Sequence, residues 1–148
     1  MDIWSFACII IEMMIGRPIF PGENEHEQLE MIMEILGVPP LSIINQAKRK
    51  NEFFSHDGKP LLRNRRKKLR MPGQSNLRAA TKFHDPVFID FLQKCLEWDH
   101  DKRITAEQAL NHQWFSVVKT VKPGSRSNSA RPKSGKSLPG INSRNRFY

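Results

Sequence analysis

Cysteine is scarce in this chain. Only Cys8 and Cys95 occur among 148 residues, neither in a C-x-x-C pair nor beside a histidine at ligand spacing. That excludes a disulfide scaffold and a thiolate zinc site. Both cysteines sit in apolar helical patterns and read as small buried hydrophobes. Long apolar runs are missing as well. No stretch reaches the roughly 18 residues needed to span a bilayer. No basic-then-apolar leader is visible, so the expected setting is intracellular, in the cytoplasm or nucleus. The five histidines (His26, His56, His84, His100, His112) are scattered without H-x-x-x-H spacing, so neither a metal site nor a general base is expected from them. No repeat of 20–50 residues occurs. Strand-like alternation never persists, so the expected fold is mainly α.

Acidic residues are absent from one region, and that explains the charge. The whole chain carries +9. From Val117 to Tyr148 there are eight cations and no anion, which leaves only +1 for residues 1–116. The expected organisation is a folded part, 1–118, and a basic Ser/Gly/Pro-rich tail, 119–148. Apolar residues in the tail are too sparse to offset the entropy of ordering, so it is expected to be disordered. Within it, modification of Ser134 would lower the local positive charge.

The helical signals are clear. Phe6, Ile9, Ile10, Met13 and Met14 share one face at i, i+3, i+4, i+7, i+8 spacing, and Ala7, Cys8 and Ile11 make the other faces apolar too. Such a helix belongs inside a protein. Gly16 ends it. A second helix is predicted over Glu25–Leu36, with Asn24 as cap, Glu27 closing a capping box, and Leu29, Ile32, Met33 and Leu36 as its buried stripe. The Met13-Met14 and Met31-Met33 sets read as core filler. Leu41–Ala47 is a short helix, and Asn51–Lys59 a small hairpin around an Asp57-Gly58 turn. Arg63, Arg65, Arg66, Lys67, Lys68 and Arg70 then place six cations in eight positions. Asp85-Pro86 starts a helix whose inward face is Phe88, Phe91, Leu92 and Cys95. Thr105 and Gln108 form another capping box. Trp4, Trp98 and Trp114 suit packing between helices.

Two signatures point to a family. Asp2-Ile3-Trp4-Ser5 opens the first helix, and Asp101-Lys102-Arg103-Ile104-Thr105-Ala106 precedes His112-Gln113-Trp114-Phe115. In that order they resemble the end of a eukaryotic protein kinase domain. Glu12 and the run Gly16-Arg17-Pro18-Ile19-Phe20 fit the same pattern. The runs Phe20–Leu29, Ile32–Pro40, Phe53-Phe54 with Asp57–Pro60, and Phe91–Trp98 are similar to the dual-specificity tyrosine-regulated kinase (DYRK) family, its class II branch above all. The match covers about residues 2–116. It implies the end of the kinase large lobe, with an insert at about 41–80. It implies that Asp2, with Trp4 and Ser5, holds the catalytic loop from beneath and does no chemistry. It also implies that Arg103 pairs in the family with a glutamate preceding residue 1, so that here it would be a charge without its partner.

The same resemblance implies ATP and Mg²⁺ as cofactors of the parent enzyme and transfer of the γ-phosphate to Ser, Thr or Tyr hydroxyls. Phosphoryl transfer needs a glycine-rich loop, a strand lysine, a catalytic-loop Asp and Asn, and an Asp-Phe-Gly motif. This sequence contains no G-x-G-x-x-G, no His-Arg-Asp and no Asp-Phe-Gly. All of these precede the Asp-x-Trp-Ser helix in the family, so truncation is the expected reason. The expectation is a kinase-derived chain that has no catalytic, cofactor-binding or metal residues of its own and is inert alone. The alternative is an interaction module that docks substrates or regulators of the parent kinase through Leu29, Ile32 and Phe54. A lesser alternative is a basic nucleic-acid binder using the 63–70 cluster and the tail. The cluster has no interleaved aromatics, which favours a solvated loop.

Overall fold

The computed structural model describes residues 2–61 and 70–120. Eight helices are found among them: α1 (Ile3–Ile15), α2 (Glu25–Leu36), α3 (Leu41–Gln46), α4 (Lys50–Phe53), α5 (Leu77–Thr81), α6 (Pro86–Cys95), α7 (Ala106–Leu110) and α8 (Gln113–Thr120). No strand forms among the described residues beyond one isolated bridge, Phe54 to Pro60. None of the described helices is long and apolar enough to cross a membrane. The expected tail, apart from its first two residues, lies outside the described residues. α8 runs to Thr120, two residues past the predicted boundary at 118.

α6 is the hub, packing against α1, α5 and α8. Its start follows from chemistry. Asp85 accepts from the N–H groups of Val87 and Phe88, and Pro86 fills a first-turn position where no N–H is needed. Phe88, Phe91, Leu92 and Cys95 are all buried, as their spacing predicts. Around them stand aromatics from α8. Trp114 lies 4.5 Å from Phe88 and 5.0 Å from Phe91 between ring centroids, and Phe115 meets Phe91 edge-on at 5.4 Å. Tilted and edge-on pairs of this kind add to simple area burial. The Cys95 thiol, sealed in this core, is pushed up to about 11 by burial, which keeps it protonated and inert.

α1 is capped by Asp2 and terminated by Gly16 in the left-handed region, φ 74°. Its buried face is not the predicted one. Ala7 and Ile11 are fully buried, whereas Ile9, Met13 and Met14 are 56%, 80% and 54% exposed. Residues 7 and 11 lie on the side of the helix opposite 9 and 13. The few polar residues, Ser5 and Glu12, fall on the same side as Ile9 and Met13, opposite Ala7 and Ile11, and mark the outer face that the apolar count overlooked. Met13 and Met14 are therefore surface residues rather than core filler. Met33 is core and Met31 is half-buried.

α2 runs over the predicted residues. Asn24 accepts from the Glu27 N–H as expected. The return half of the capping box is different: the Glu27 carboxylate takes the Glu23 N–H at 3.1 Å, and Gln28 Oε1 takes the Gly22 N–H at 2.9 Å. The two side chains thus satisfy the incoming loop rather than the cap residue. A Cβ on Gly22 would lie 2.5 Å from the Gln28 backbone nitrogen, so only glycine fits that close approach.

The inward face of α2 is Glu27, Glu30 and Met33, with Leu29, Ile32 and Leu36 half-buried. Met33 joins Ile44 and Phe54 in a second small core, flanked by Leu29, Phe53 and Trp98. The expected hairpin shrinks to a turn. Residues 50–53 are helical instead, and Gly58 at φ 76° closes Ser55 to Lys59. Pro60 has no N–H with which to extend the single bridge into a ladder.

Candidate functional site

The residues singled out by sequence meet at the start of α1. The Asp2 carboxylate accepts from the N–H groups of Trp4 at 3.2 Å and Ser5 at 3.1 Å, and from the Ser5 hydroxyl at 2.9 Å. Arg103 arrives from the loop before α7. Its Nη1 lies 3.6 Å from Asp2 Oδ1, and its guanidinium covers the Trp4 ring at 5.2 Å. Its Nε donates to the Glu97 carbonyl at 2.9 Å. Trp98 completes the group with its ring 5.6 Å from Trp4. Arg103 is therefore not a charge without partners. A carbonyl, an aromatic face and a carboxylate share it, which is why a largely buried guanidinium is tolerated here.

Chemically this arrangement is a clasp. It has a capped helix start, a stacked cation and no nucleophile. The Ser5 hydroxyl and the Ser5 N–H, more than Arg103, hold the Asp2 carboxyl below its ordinary value of 3.8. A depressed carboxylate stabilises the fold above its ordinary pKa, and the contribution is lost as pH falls through the folded value. Thermal melts of the full chain between about pH 6 and pH 2 should fall below roughly pH 4, with a modest part from Asp2 because its carboxylate is largely exposed. The fall should be shallower in Asp2→Asn, because asparagine still caps the helix but carries no charge. Superimposable pH profiles for the two chains would refute the assignment.

The proposed docking residues are placed less openly than the sequence suggests. Phe54 is buried in the second core, Leu29 packs against that core, and Ile32 is half-buried. Of the basic cluster, residues 63–68 lie outside the described residues. Arg70, its last member, pairs with Glu34 at 2.6 Å rather than standing in solvent.

The histidines give one arrangement that sequence reading missed. His112 Nδ1 accepts from the Trp114 N–H at 3.2 Å while Nε2 donates to Asp90 Oδ2 at 2.9 Å. Lys94 holds the same Asp90 oxygen at 2.6 Å. The imidazole is a cap that ties α8 to α6. The signal available in the sequence was its place just ahead of the helix that starts at Gln113.

A magnesium nucleotide does not fit these residues. Asp99, His100 and Asp101 bring three potential ligand atoms within 4.8 Å of one another. However, the Asp99 carboxylate is already held by Lys102 at 3.2 Å and by the Asp101 N–H at 3.1 Å, closing its own loop. No glycine-lined phosphate cradle stands beside it in the sequence.

The comparisons agree with this anatomy. The protein kinase domain family matches residues 1–115. The human dual specificity tyrosine-phosphorylation-regulated kinase 4 is 44% identical over 131 residues, covering 88% of this chain and 25% of that protein. The Drosophila melanogaster dual specificity tyrosine-phosphorylation-regulated kinase 2 is 43% identical over 143 residues, covering 96% of this chain and 19% of that protein. A probable serine/threonine-protein kinase dyrk2 of Dictyostelium discoideum is 42% identical over 124 residues, covering 82% and 13%. The chain thus spans a quarter or less of the length of these relatives. With a kinase-domain match over most of its length, the chain belongs to the protein kinase family and is similar, within it, to the dual-specificity tyrosine-regulated kinases.

Proposed function

We propose that residues 2–118 form the end of the large lobe of a dual-specificity protein kinase, and that this chain by itself transfers no phosphate. The observation that carries the proposal is the kinase match over residues 1–115 in a sequence without G-x-G-x-x-G, His-Arg-Asp or Asp-Phe-Gly. In the parent enzyme, ATP and Mg²⁺ supply the transferred group and neutralise its charge. The part played by this region is mechanical: a helical base that holds neighbouring segments in position. Its protein partners are the substrates and regulators of the parent kinase, met inside the cell.

The test is transfer of labelled phosphate from ATP with Mg²⁺ to a generic basic protein substrate. The purified full chain should give incorporation equal to a no-protein blank. Incorporation above blank, reproduced with chain prepared from two unrelated hosts, would overturn the proposal.

A second reading, an interaction module, is supported by the second core. Met33, Ile44 and Phe54 fasten α2 to α3 and the segment behind α4, so that this face is built from residues within the chain. A nucleic-acid role draws no support from Arg70, whose charge is shared with Glu34.

A further inference from the structure

A cavity of about 220 Å³ opens between the end of α1, the link that follows it, and α2. Its polar lining is Arg17, Glu34, Arg70 and Ser75, and Ile19 and Met31 are among its apolar walls. Arg70 gives Nη1 to Glu34 at 2.6 Å, but its Nε is buried with no acceptor. Arg17 has no ion-pair or hydrogen-bond partner among the described residues, and its side chain belongs to an exposed residue. The wall carrying Ser75 is fixed: the Gly73 and Ser75 N–H groups donate to the Met33 and Glu34 carbonyls, each at 2.9 Å. The cavity therefore joins apolar walls to two guanidiniums, Arg17 without a partner among the described residues and Arg70 shared with Glu34.

We infer that this cavity is a docking pocket for one carboxylate-bearing side chain, flanked by an aliphatic residue, from an acidic segment of a protein partner. Three arguments carry it. Among the described lining residues, two guanidiniums and one carboxylate leave a single net positive charge, which one carboxylate neutralises. A phosphate dianion would exceed that charge and face Glu34. Planar guanidinium donors match a carboxylate in shape as well as charge. The volume lies below the roughly 300–1,000 Å³ of pockets that enclose whole small ligands, so it suits one side chain of a longer partner. The inference does not depend on whether the chain transfers phosphate, and it stands or falls separately from that reading.

The experiment follows the arginine Nε–Hε signals of the ¹⁵N-labelled full chain by NMR. The probe is acetyl-Leu-Glu-Leu-amide, compared with peptides carrying Gln or phosphoserine in place of Glu. Saturable shifts of the Arg17 and Arg70 signals by the Glu peptide are expected, with at least tenfold weaker binding of the Gln peptide. Arg17→Ala should weaken the Glu peptide about tenfold with an unchanged melting temperature, and Arg17→Lys should recover part of the loss. No saturable shift, equal affinity for the Gln peptide, stronger binding of the phosphoserine peptide, or indifference to Arg17→Ala would each overturn the inference.

Discussion

Phe91→Ala should lower the stability of the chain by about 3–5 kcal/mol, the usual cost of emptying a fully buried phenylalanine site. Phe91 is 0% exposed and touches α8 through both Trp114 and Phe115. The packing between α6 and α8 would lose its centre, and neither indole nor phenyl could collapse fully into the gap. For a domain of this size the melting midpoint should fall by roughly 12–20 °C. Far-UV circular dichroism melts of the full chain measure it directly, with Met13→Ala as reference. Met13 is 80% exposed, so that change should stay within about 0.5 kcal/mol of zero. A Phe91→Ala midpoint within two or three degrees of the parent would show that α6 does not anchor the fold.

The second large effect concerns solubility rather than stability. Ile9 and Met13 lie one turn apart on the outer side of α1. An uncovered apolar strip of this kind favours self-association. The double change Ile9→Lys with Met13→Lys places two good helix formers on that strip and removes none of the buried contacts made by Ala7 and Ile11. The concentration at which light scattering begins should rise on the order of tenfold, because the sticky strip becomes a charged one. The melting curve should remain within about 0.5 kcal/mol of the parent. A substantial loss of stability would mean that the outer side of α1 is covered by another part of this chain.

How much of this was legible beforehand depends on contrast and distance. The cap chemistry was plain, since Asp85-Pro86, Thr105 with Gln108, and Gly16 are local devices whose meaning does not depend on the rest of the fold. The inward face of α6 was plain too, because Gln93 and Lys94 stand out against Phe88, Phe91 and Leu92. The inward face of α1 was not read correctly, because eight apolar residues between Phe6 and Met14 outweigh the polar side that Ser5 and Glu12 mark. Arg103 was expected to be a charge without its partner, whereas the structure gives it Asp2, the Trp4 ring and the Glu97 carbonyl. Which partners it takes here was hidden, since Asp2 is a hundred positions away and a carbonyl acceptor leaves no trace in sequence. Arg70 and Glu34 were hidden for the same reason, being 36 positions apart. Phe54 was proposed as a docking residue as part of the insert at about 41–80, and its burial could not be read from that placement. Ile44 and Met33, which cover it, come from two other helices.

The clasp between Asp2 and Arg103 also bears on time. It closes a loop of about a hundred residues, from the first described position to a point just before α7. The entropy lost in closing a loop rises only with the logarithm of its length, so the contact is affordable at equilibrium. A contact between such distant positions is met late in folding, after the helices between them have assembled. Interactions made after the rate-limiting step slow unfolding and leave folding speed almost unchanged. Loss of the contact, as in Asp2→Ala, is therefore expected to speed unfolding more than it slows folding, which stopped-flow rates of the two chains would measure.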